Sequence, residues 1–524
     1  MRIVFLFERT DQLWGGVKVA LTDANWLSAR GHDVTVVSRS GPPDWMDLRC
    51  GFRQVQQLDQ AALPPCDVVV GTFWTTVPAA AQAAARGIPA AHYCQGYEGD
   101  NPEFAAHRAR VDAVYRLPGM QHLTVSPHLT ALLRDRFGLR PHEVSNAIDH
   151  DVFRPAPSRR PAGARVRVGL VGPFEVAWKD LRTGIEACRL AARAGLDLQL
   201  VRVTNTAPHA DEQDLPFPVE WHERVTPSAM GDVYRSLDVF LGTSSGAEEG
   251  FFLPAIEAMA CGVPCVLTDV PCFRGHDAPH AALFVPARDP AAMAEALVVA
   301  GRVPEVADSL RAQGLALAAR YTQDAHGAAL ERALQTVAGA AAPTAPRTLA
   351  TPTSAPVIVA DDGEDAAPIA SHAQLFEALR AAAADSGARN DHGRAADLLA
   401  AAWCLSRGDG DLAAEAAWTR HLAGDTDGAL RMLEHCVQDG VDHAAVHARR
   451  AALLNGTGRP AEAAQALRAA IAAGRRTADT YNDLGVALYR AGDLHGARSS
   501  FERALVLDPD HRDARVNAAD LQSV

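Results

Sequence analysis

The sequence predicts an α/β protein made of two doubly wound domains, followed by an all-α repeat domain. Short β-rich runs alternate with Ala-rich helical segments up to about residue 340, and the strands are continuously apolar. Continuous apolar strands separated by helices indicate parallel sheets that are covered on both faces. After a proline-rich interval, glycines recur every 34 residues, which indicates stacked helical repeats.

The predicted strands fall into two sets. They are IVFLF (3–7), DVTVVS (33–38), CDVVVG (66–71), HLTVS (122–126), RVRVGLVG (165–172), LDLQLVRV (196–203) and CVLTD (265–269). Prolines and basic residues in FRPAPSRRPAGA (153–164) interrupt the alternation between the fourth run and the fifth. We therefore predict one Rossmann-like domain at 1–158 and a second at 159–340, facing each other across a cleft.

Composition excludes several classes of protein. The chain has 524 residues, 48% of them hydrophobic and 22% charged, as in soluble globular proteins of several domains. Its net charge of -13 argues against binding to nucleic acid, whose phosphates attract clustered Lys and Arg. Nine irregularly spaced cysteines indicate reduced thiols and a cytoplasmic location.

The first residues, MRIVFLF, predict a buried strand. The charges at Glu8, Arg9 and Asp11 end this apolar run too early for a signal peptide or a spanning helix. Three arginines in EFAAHRARVDAVYRL (103–117) leave a peripheral position at the inner face of a membrane as an alternative, although a solvated helix face is the favoured interpretation.

A linker and a repeat region complete the chain. Residues 341–371 hold five prolines and an acidic cluster, which predicts a flexible linker. From 372 to 524, glycines, alanines and bulky residues share one phase: Gly424, Gly458 and Gly492; Ala429, Ala463 and Ala497; Leu433, Leu467 and Phe501. This pattern resembles the tetratricopeptide repeat, most closely in the unit that contains Tyr481, Leu484, Gly485, Ala504 and Pro509.

We predict about four repeats from 376 to 511, with 512–524 as a capping helix. Stacked helices of this kind form a concave groove, so the resemblance implies a protein or peptide partner. Nothing in the sequence identifies that partner.

Two glutamates bracket an apolar loop in EEGFFLPAIEAMACGVP (248–264). Pro254 is tolerated in the first turn of a helix, so a helix should run from about Leu253 to Ala260 and stop at Gly262. Glu249 then lies in the loop, and Glu257 lies on the first full turn. The free amides at the positive helix end predict a diphosphate site, and a carboxylate one turn further could accept hydrogen bonds from a ribose.

The longer stretch GTSSGAEEGFFLPAIEAMACGVPCVLTD resembles the donor-site signature of glycosyltransferase family 4, whose retaining enzymes have the two-domain GT-B fold. By this resemblance, Glu249 lies by the transferred sugar and the phosphates, and Glu257 binds the nucleotide ribose. The resemblance also places Gly250, Phe251, Phe252 and Leu253 at the donor.

Further segments extend the resemblance over roughly residues 1–340, which implies that the domain at 1–158 lies on the acceptor side and that the domain at 159–340 binds the nucleotide sugar. WGGVKVALTDANWLSARGHDVTVVS (14–38) is similar to the first β-loop-α unit, in which Gly15 and Gly16 let the backbone approach the substrates. VSNAIDHDVF (144–153) is similar to the end of the N-terminal domain.

The sequence departs from the family at two positions. In the family, an arginine and a lysine form a basic pair that neutralises the diphosphate, and in VGPFEVAWKDLRTGIEA the residue Lys179 matches the lysine. Pro173 stands where the arginine is common, and the nearby Arg182 does not match the position of that arginine. In IPAAHYCQGYEGD, Gln95 stands where many members of the family have a histidine, and a glutamine cannot relay a proton. The candidate sugar or acceptor contacts in this segment are Gln95, Glu98 and His92, and a purely structural role is equally open for them.

These observations predict a retaining transferase that moves a hexose or deoxyhexose from a nucleoside diphosphate sugar to an acceptor hydroxyl. Glu249 and Lys179 are the expected catalytic residues. No metal or other cofactor is expected to be required, since fixed positive groups can stabilise the leaving diphosphate. The cysteines at 261, 265 and 272 lack the second pair that a structural zinc site needs.

The acceptor and the role of the repeats stay open. The acceptor is expected to be a cell-surface or lipid-linked glycan, or alternatively a protein that the repeats recruit. A different class is a non-catalytic interaction protein with a degenerate GT-B module, which Pro173 and Gln95 favour.

Overall fold

The computed structural model describes residues 1–12, 14–59, 63–156, 164–246, 248–339 and 372–522. The predicted linker at 341–371 therefore lies outside the described residues. The chain divides into two compact units. The first comprises Met1–Arg189, Asp197–Asp289 and Leu310–Ile369, and the second comprises Leu190–Leu196, Pro290–Ser309 and Ala370–Val524.

The first unit contains two parallel sheets. The N-terminal sheet has β1 (Arg2–Phe7), β2 (Asp33–Ser38), β3 (Gly51–Gln54), β4 (Val68–Gly71), β5 (Ala90–Cys94), β6 (Met120–Thr124) and β7 (His142–Glu143). The C-terminal sheet has β8 (Val166–Val171), β9 (Leu198–Thr204), β10 (Val219–Glu223), β11 (Val239–Gly242), β12 (Cys265–Thr268) and β13 (Leu283–Val285). All seven predicted strands are present.

Helices alternate with these strands. They are α1 (Gly15–Ala29), α2 (Val77–Ala84), α3 (Arg108–Val114), α4 (Pro127–Phe137), α5 (Leu181–Arg193), α6 (Met230–Arg235), α7 (Leu253–Ala260), α8 (Pro271–Arg274), α9 (Pro290–Arg302), α10 (Pro304–Ala318) and α11 (Gln323–Gly339). Because helices cover both faces, the strands are buried on both sides; β4 and β5, for example, have no exposed residue.

The strand order reverses once in each sheet. The N-terminal sheet has the order β3-β2-β1-β4-β5-β6-β7, and the C-terminal sheet has the order β10-β9-β8-β11-β12-β13. In register, Ile3 of β1 lies beside Val34 of β2 on one side and Val68 of β4 on the other. Ligands of doubly wound sheets bind outside the carboxyl ends of the strands at such reversals. The predicted pair of doubly wound domains is confirmed.

The second unit is helical. After α9, it contains α12 (His372–Ala388), α13 (His392–Leu405), α14 (Gly410–Leu422), α15 (Thr426–Gln438), α16 (Ala444–Gly456), α17 (Pro460–Ala472), α18 (Ala478–Arg490), α19 (Leu494–Leu507) and α20 (Arg512–Gln522). The helices α12 to α19 form four successive hairpins, and α20 follows them. A capping role for α20 stays a prediction. Helix α9 lies inside the range predicted for the second sheet domain but groups with the repeats.

The repeating glycines make the turns inside the hairpins. Gly424, Gly458 and Gly492 have φ angles of 94°, 75° and 86°, which glycine adopts without steric cost. Asn390, 34 residues before Gly424, has a φ of 58° and makes the same turn in the first hairpin. Asparagine tolerates this conformation better than most residues, which is why the glycine pattern alone does not reveal the first repeat.

No helix among the described residues is long and apolar enough to cross a membrane.

Candidate functional site

The loops after β8 and β11 bring Lys179 and Glu249 together at the reversal of the C-terminal sheet. The Lys179 ammonium donates a hydrogen bond to Glu249 Oε2 over 2.6 Å, and Ser244 Oγ donates to the same oxygen over 2.7 Å. The ammonium also lies 4.3 Å from the ring centre of Trp178 and 5.0 Å from that of Phe252. Two aromatic faces and a buried carboxylate therefore hold this cation in one position.

Helix α7 has the predicted bounds and starts from an unusual backbone conformation. Phe252 precedes it with a φ of 58°, a left-handed conformation that aromatic residues rarely adopt. The buried Phe252 ring packs edge-on against Phe273 at 4.9 Å, which holds the turn in place. Phe251 is also buried, against His276 and Tyr321. The strained turn and its packing direct the loop that carries Glu249 toward the helix end.

Glu257 is buried one turn into α7, with 6% of its surface exposed. Its Oε2 accepts a hydrogen bond from the hydroxyl of Tyr234 over 3.1 Å, and its Oε1 lies 3.4 Å from the ammonium of Lys18. Burial and the Glu257 carboxylate raise the pKa of Tyr234 well above its usual value, so this hydroxyl stays a donor. Lys18 belongs to α1, so the contact joins the two sheet domains.

Lys18 and Tyr234 were not predicted to lie in the site. Lys18 does carry a signal, because a cation in the first turn of a helix is disfavoured by the helix dipole and so needs another explanation. Tyr234 carries none, since an apolar-patterned helix normally buries such a residue for packing alone.

The segment after β5 lies beside Gly16 of α1 and Gly250 of the loop before α7. A Cβ added to Gly16 would lie 3.4 Å from the Gln95 side chain, and a Cβ added to Gly250 would lie 1.8 Å from the Gln95 carbonyl oxygen. The Ser126 hydroxyl donates to the Gly250 carbonyl over 2.7 Å. At Gly15, by contrast, an added Cβ would meet no atom within 4 Å. The structure therefore groups Gly16, Gln95 and Gly250 and leaves space beside Gly15.

Gln95 and Glu98 differ in their surroundings. The Gln95 side-chain nitrogen is buried and has no hydrogen-bond partner among the described residues. Glu98 accepts a hydrogen bond from the Tyr115 hydroxyl over 3.2 Å, and burial raises the pKa of its carboxyl to about 7. A substrate contact stays a prediction for both residues.

His92 lies in the core of the N-terminal sheet. Its ring packs 4.9 Å from that of Tyr115 and 5.6 Å from that of His122, and none of its surface is exposed. Burial lowers the pKa of His92 well below its usual value, so the ring is neutral. Its predicted contact with a sugar stays a prediction, and this packing favours the structural role.

Arg182, the basic residue near Pro173 that is out of register, contacts other groups in the structure. The Arg182 guanidinium forms an ion pair with Asp211 and lies 4.7 Å from the ring centre of Phe174. The residues that could hold a diphosphate are therefore Lys179 and the amides that begin α7, with Glu257 placed for a ribose. Burial raises the pKa of the Cys261 and Cys265 thiols, which keeps both neutral and makes them poor metal ligands.

Two protein families match parts of this chain. Residues 165–302 match the family described as "Glycosyl transferases group 1", and residues 478–511 match the tetratricopeptide repeat. No curated protein sequence matches the chain significantly. The chain therefore contains a glycosyltransferase group 1 domain and a tetratricopeptide-repeat region.

Solved structures match the fold. Sucrose-phosphate synthase from Thermosynechococcus elongatus superposes with a TM-score of 0.54 at 18% identity, over 64% of this chain and 98% of that one. Anabaena HepE in complex with UDP-glucose superposes with a TM-score of 0.52 at 14% identity, over 65% of this chain and 100% of that one. A glycosyltransferase from Rickettsia africae superposes with a TM-score of 0.51 at 12% identity, over 64% of this chain and 98% of that one. The two sheets form the GT-B fold of these transferases.

Proposed function

We propose that this protein is a retaining glycosyltransferase that moves a sugar from a nucleoside diphosphate sugar to an acceptor hydroxyl. The observation that carries the proposal is the Lys179–Glu249 pair at the sheet reversal, next to the amino end of α7. All of these groups lie inside the glycosyltransferase group 1 domain. HepE, which has the same fold, binds UDP-glucose, and this supports a donor of that class.

In the proposed mechanism, the diphosphate lies against the amides that begin α7. The Lys179 ammonium has three hydrogens, so it can keep its bond to Glu249 and still donate to a phosphate oxygen. As the bond between the sugar and the diphosphate breaks, this fixed cation stabilises the negative charge of the leaving group. Glu249 orients Lys179 and can accept a hydrogen bond from a sugar hydroxyl. No metal is required in this proposal.

Glu257 would bind the donor ribose, since its buried carboxylate lies one turn beyond the proposed phosphate site. The N-terminal sheet would bind the acceptor, with Gln95 and Glu98 as its contacts. We propose a cell-surface or lipid-linked glycan as the acceptor and the cytoplasm as the location. Recruitment of a protein acceptor by the repeats is the alternative within the same reaction.

A thermal-shift panel of nucleoside diphosphates and their sugars tests the donor site. A bound nucleotide should raise the unfolding midpoint of the natural protein by mass action. Glu257→Ala should lose this response, whereas Glu103→Ala, which removes an exposed carboxylate, should keep it. If no nucleotide stabilises the natural protein, the proposal fails, and the non-catalytic repeat protein with a degenerate module becomes the better hypothesis.

A further inference from the structure

Lysine is almost absent from this protein. The 524 residues include 50 lysines and arginines together, of which only Lys18 and Lys179 are lysine. Both lie in the candidate site: Lys179 pairs with Glu249, and Lys18 pairs with Glu257. The only two ammonium side chains of the chain thus face the two glutamates of one loop-helix segment.

The chemistry of the two cations differs in a way that suits this site. Arginine presents a planar guanidinium, whereas lysine presents a compact point charge with three rotatable donors. Apart from these two lysines, all the permanently charged cationic side chains of this protein are arginines. A lysine at these two positions supplies a compact group that can contact a carboxylate and a further anion together.

The position of Lys18 costs helix stability. It lies in the first turn of α1, whose amino end has no acidic residue and no side-chain cap. A cation there opposes the helix dipole, and the uncapped amides and the ammonium together make a strongly positive surface. The space beside Gly15 adjoins this surface. Such a surface is suited to an anionic ligand and not to a structural role in the helix.

The charge balance of the site also calls for this lysine. Glu249, Glu257 and Lys179 together carry one excess negative charge, which would repel a diphosphate. Pro173 stands where a second cation is expected, and Arg182 is engaged by Asp211. Lys18 contacts Glu257, and its positive charge brings the formal net charge of these four side chains to zero.

We propose that Lys18 is the second cation of the donor site, contributed by the N-terminal sheet domain, and that it binds the ribose-phosphate portion of a nucleoside diphosphate beside Glu257. This inference rests on the proposed function. It makes donor binding depend on the approach of the two sheet domains, because the two lysines come from different ones.

The contact of Lys18 with Glu257 leaves the ammonium free to turn toward a ligand. Its distance to Glu257 is 3.4 Å, compared with 2.6 Å for Lys179 and Glu249. The Lys18 side chain is 29% exposed and that of Lys179 is 17% exposed. Tyr234 still donates to the other oxygen of Glu257, so the carboxylate keeps a partner when the ammonium moves to a phosphate oxygen.

Because the chain has two lysines, amine-selective labelling reports on them individually. The full-length protein is treated with limiting acetylating reagent, with and without each member of a panel of nucleoside diphosphates, and labelling is quantified by peptide mass spectrometry. A nucleoside diphosphate that raises the unfolding midpoint should slow labelling of Lys18 and Lys179 several-fold, whereas the terminal α-amine should be unaffected.

The outcomes separate this inference from the proposed function. Protection of both lysines supports both. Protection of Lys179 alone overturns the role of Lys18 and leaves the donor site intact. Protection of neither lysine by any nucleotide counts against the donor site itself, and therefore also against the inference that rests on it.

Affinity measurements distinguish contact with phosphate from mere closure of the cleft. By calorimetry, Lys18→Ala should bind the nucleoside diphosphate about ten-fold more weakly and the matching nucleoside equally well, since only the former has phosphates. Lys18→Arg, which keeps the charge and controls for folding, should recover part of the affinity. Equal weakening for nucleoside and diphosphate would overturn the phosphate contact.

Discussion

Replacing Gly250 by alanine should hold the two sheet domains apart. An added Cβ would lie 1.8 Å from the Gln95 carbonyl oxygen, which is backbone and cannot rotate away. Restoring ordinary van der Waals contact requires a separation of roughly 1.6–2.2 Å more at this point. Gly250 is not among the glycines with positive φ, so alanine causes no strain within the loop itself. The substitution therefore perturbs the approach of the domains.

The expected cost follows from the position of the proposed substrates on either side of the cleft. A misplacement of about 1 Å between reacting groups can cost about 100-fold in rate, so kcat should fall by about two orders of magnitude. Nucleotide affinity should fall by no more than the roughly ten-fold contribution proposed for Lys18, because Lys179 and Glu257 stay in place. Initial rates of sugar transfer and calorimetric nucleotide affinity measure the two effects separately.

Gly246→Ala is the matched control. It adds the same methyl group to the same loop, but the atoms it meets belong to the Glu248 carboxylate, which can turn away. This variant should keep most of the natural rate. If Gly250→Ala also transfers sugar at the natural rate, the close approach of Gln95 and Gly250 is not part of the reactive arrangement.

Two further predictions concern stability. Burial alone would lower the pKa of His326, but the Asp23 carboxylate 2.6 Å away and two hydrogen bonds raise this pKa above its usual value. The protonated ring therefore contributes stability that is fully present below a pH of about 6.5 and is lost as the pH rises through the raised pKa. His326→Gln should therefore flatten the rise in urea midpoint between pH 9 and pH 6. In α18, a Cβ on Gly485 would lie 2.4 Å from the Phe501 ring, so Gly485→Ala should destabilise the protein by about 1–3 kcal/mol in denaturant unfolding.

Each of these has its own check. Asp23→Asn should flatten the same pH dependence, and a natural slope retained by either variant would show that the pair does not titrate as argued. Gly456→Ala is the control for the repeats, because an added Cβ there meets no atom within 4 Å; it should be neutral or slightly stabilising. Equal stability of the two alanine variants would contradict the close packing of Gly485.

Local patterns in the sequence determined the elements of this protein. The strands, the bounds of α7 and the 34-residue repeat were predictable because each depends on residues close together in the chain or on neighbouring repeats. Glu249, Lys179 and Glu257 were identified as candidates because the short segments that contain them resemble the signature of a known family.

The tertiary structure alone decided which side chains meet. Lys18 and Glu257 are 239 residues apart, and Gln95 contacts Gly250 only because two separately folded sheets approach each other. His92 could not be assigned from its strand, because a parallel sheet buries both faces and the strand shows no alternation that marks an open side. Pairing across domains depends on the packing of whole sheets, and for this reason no local pattern in the sequence records it.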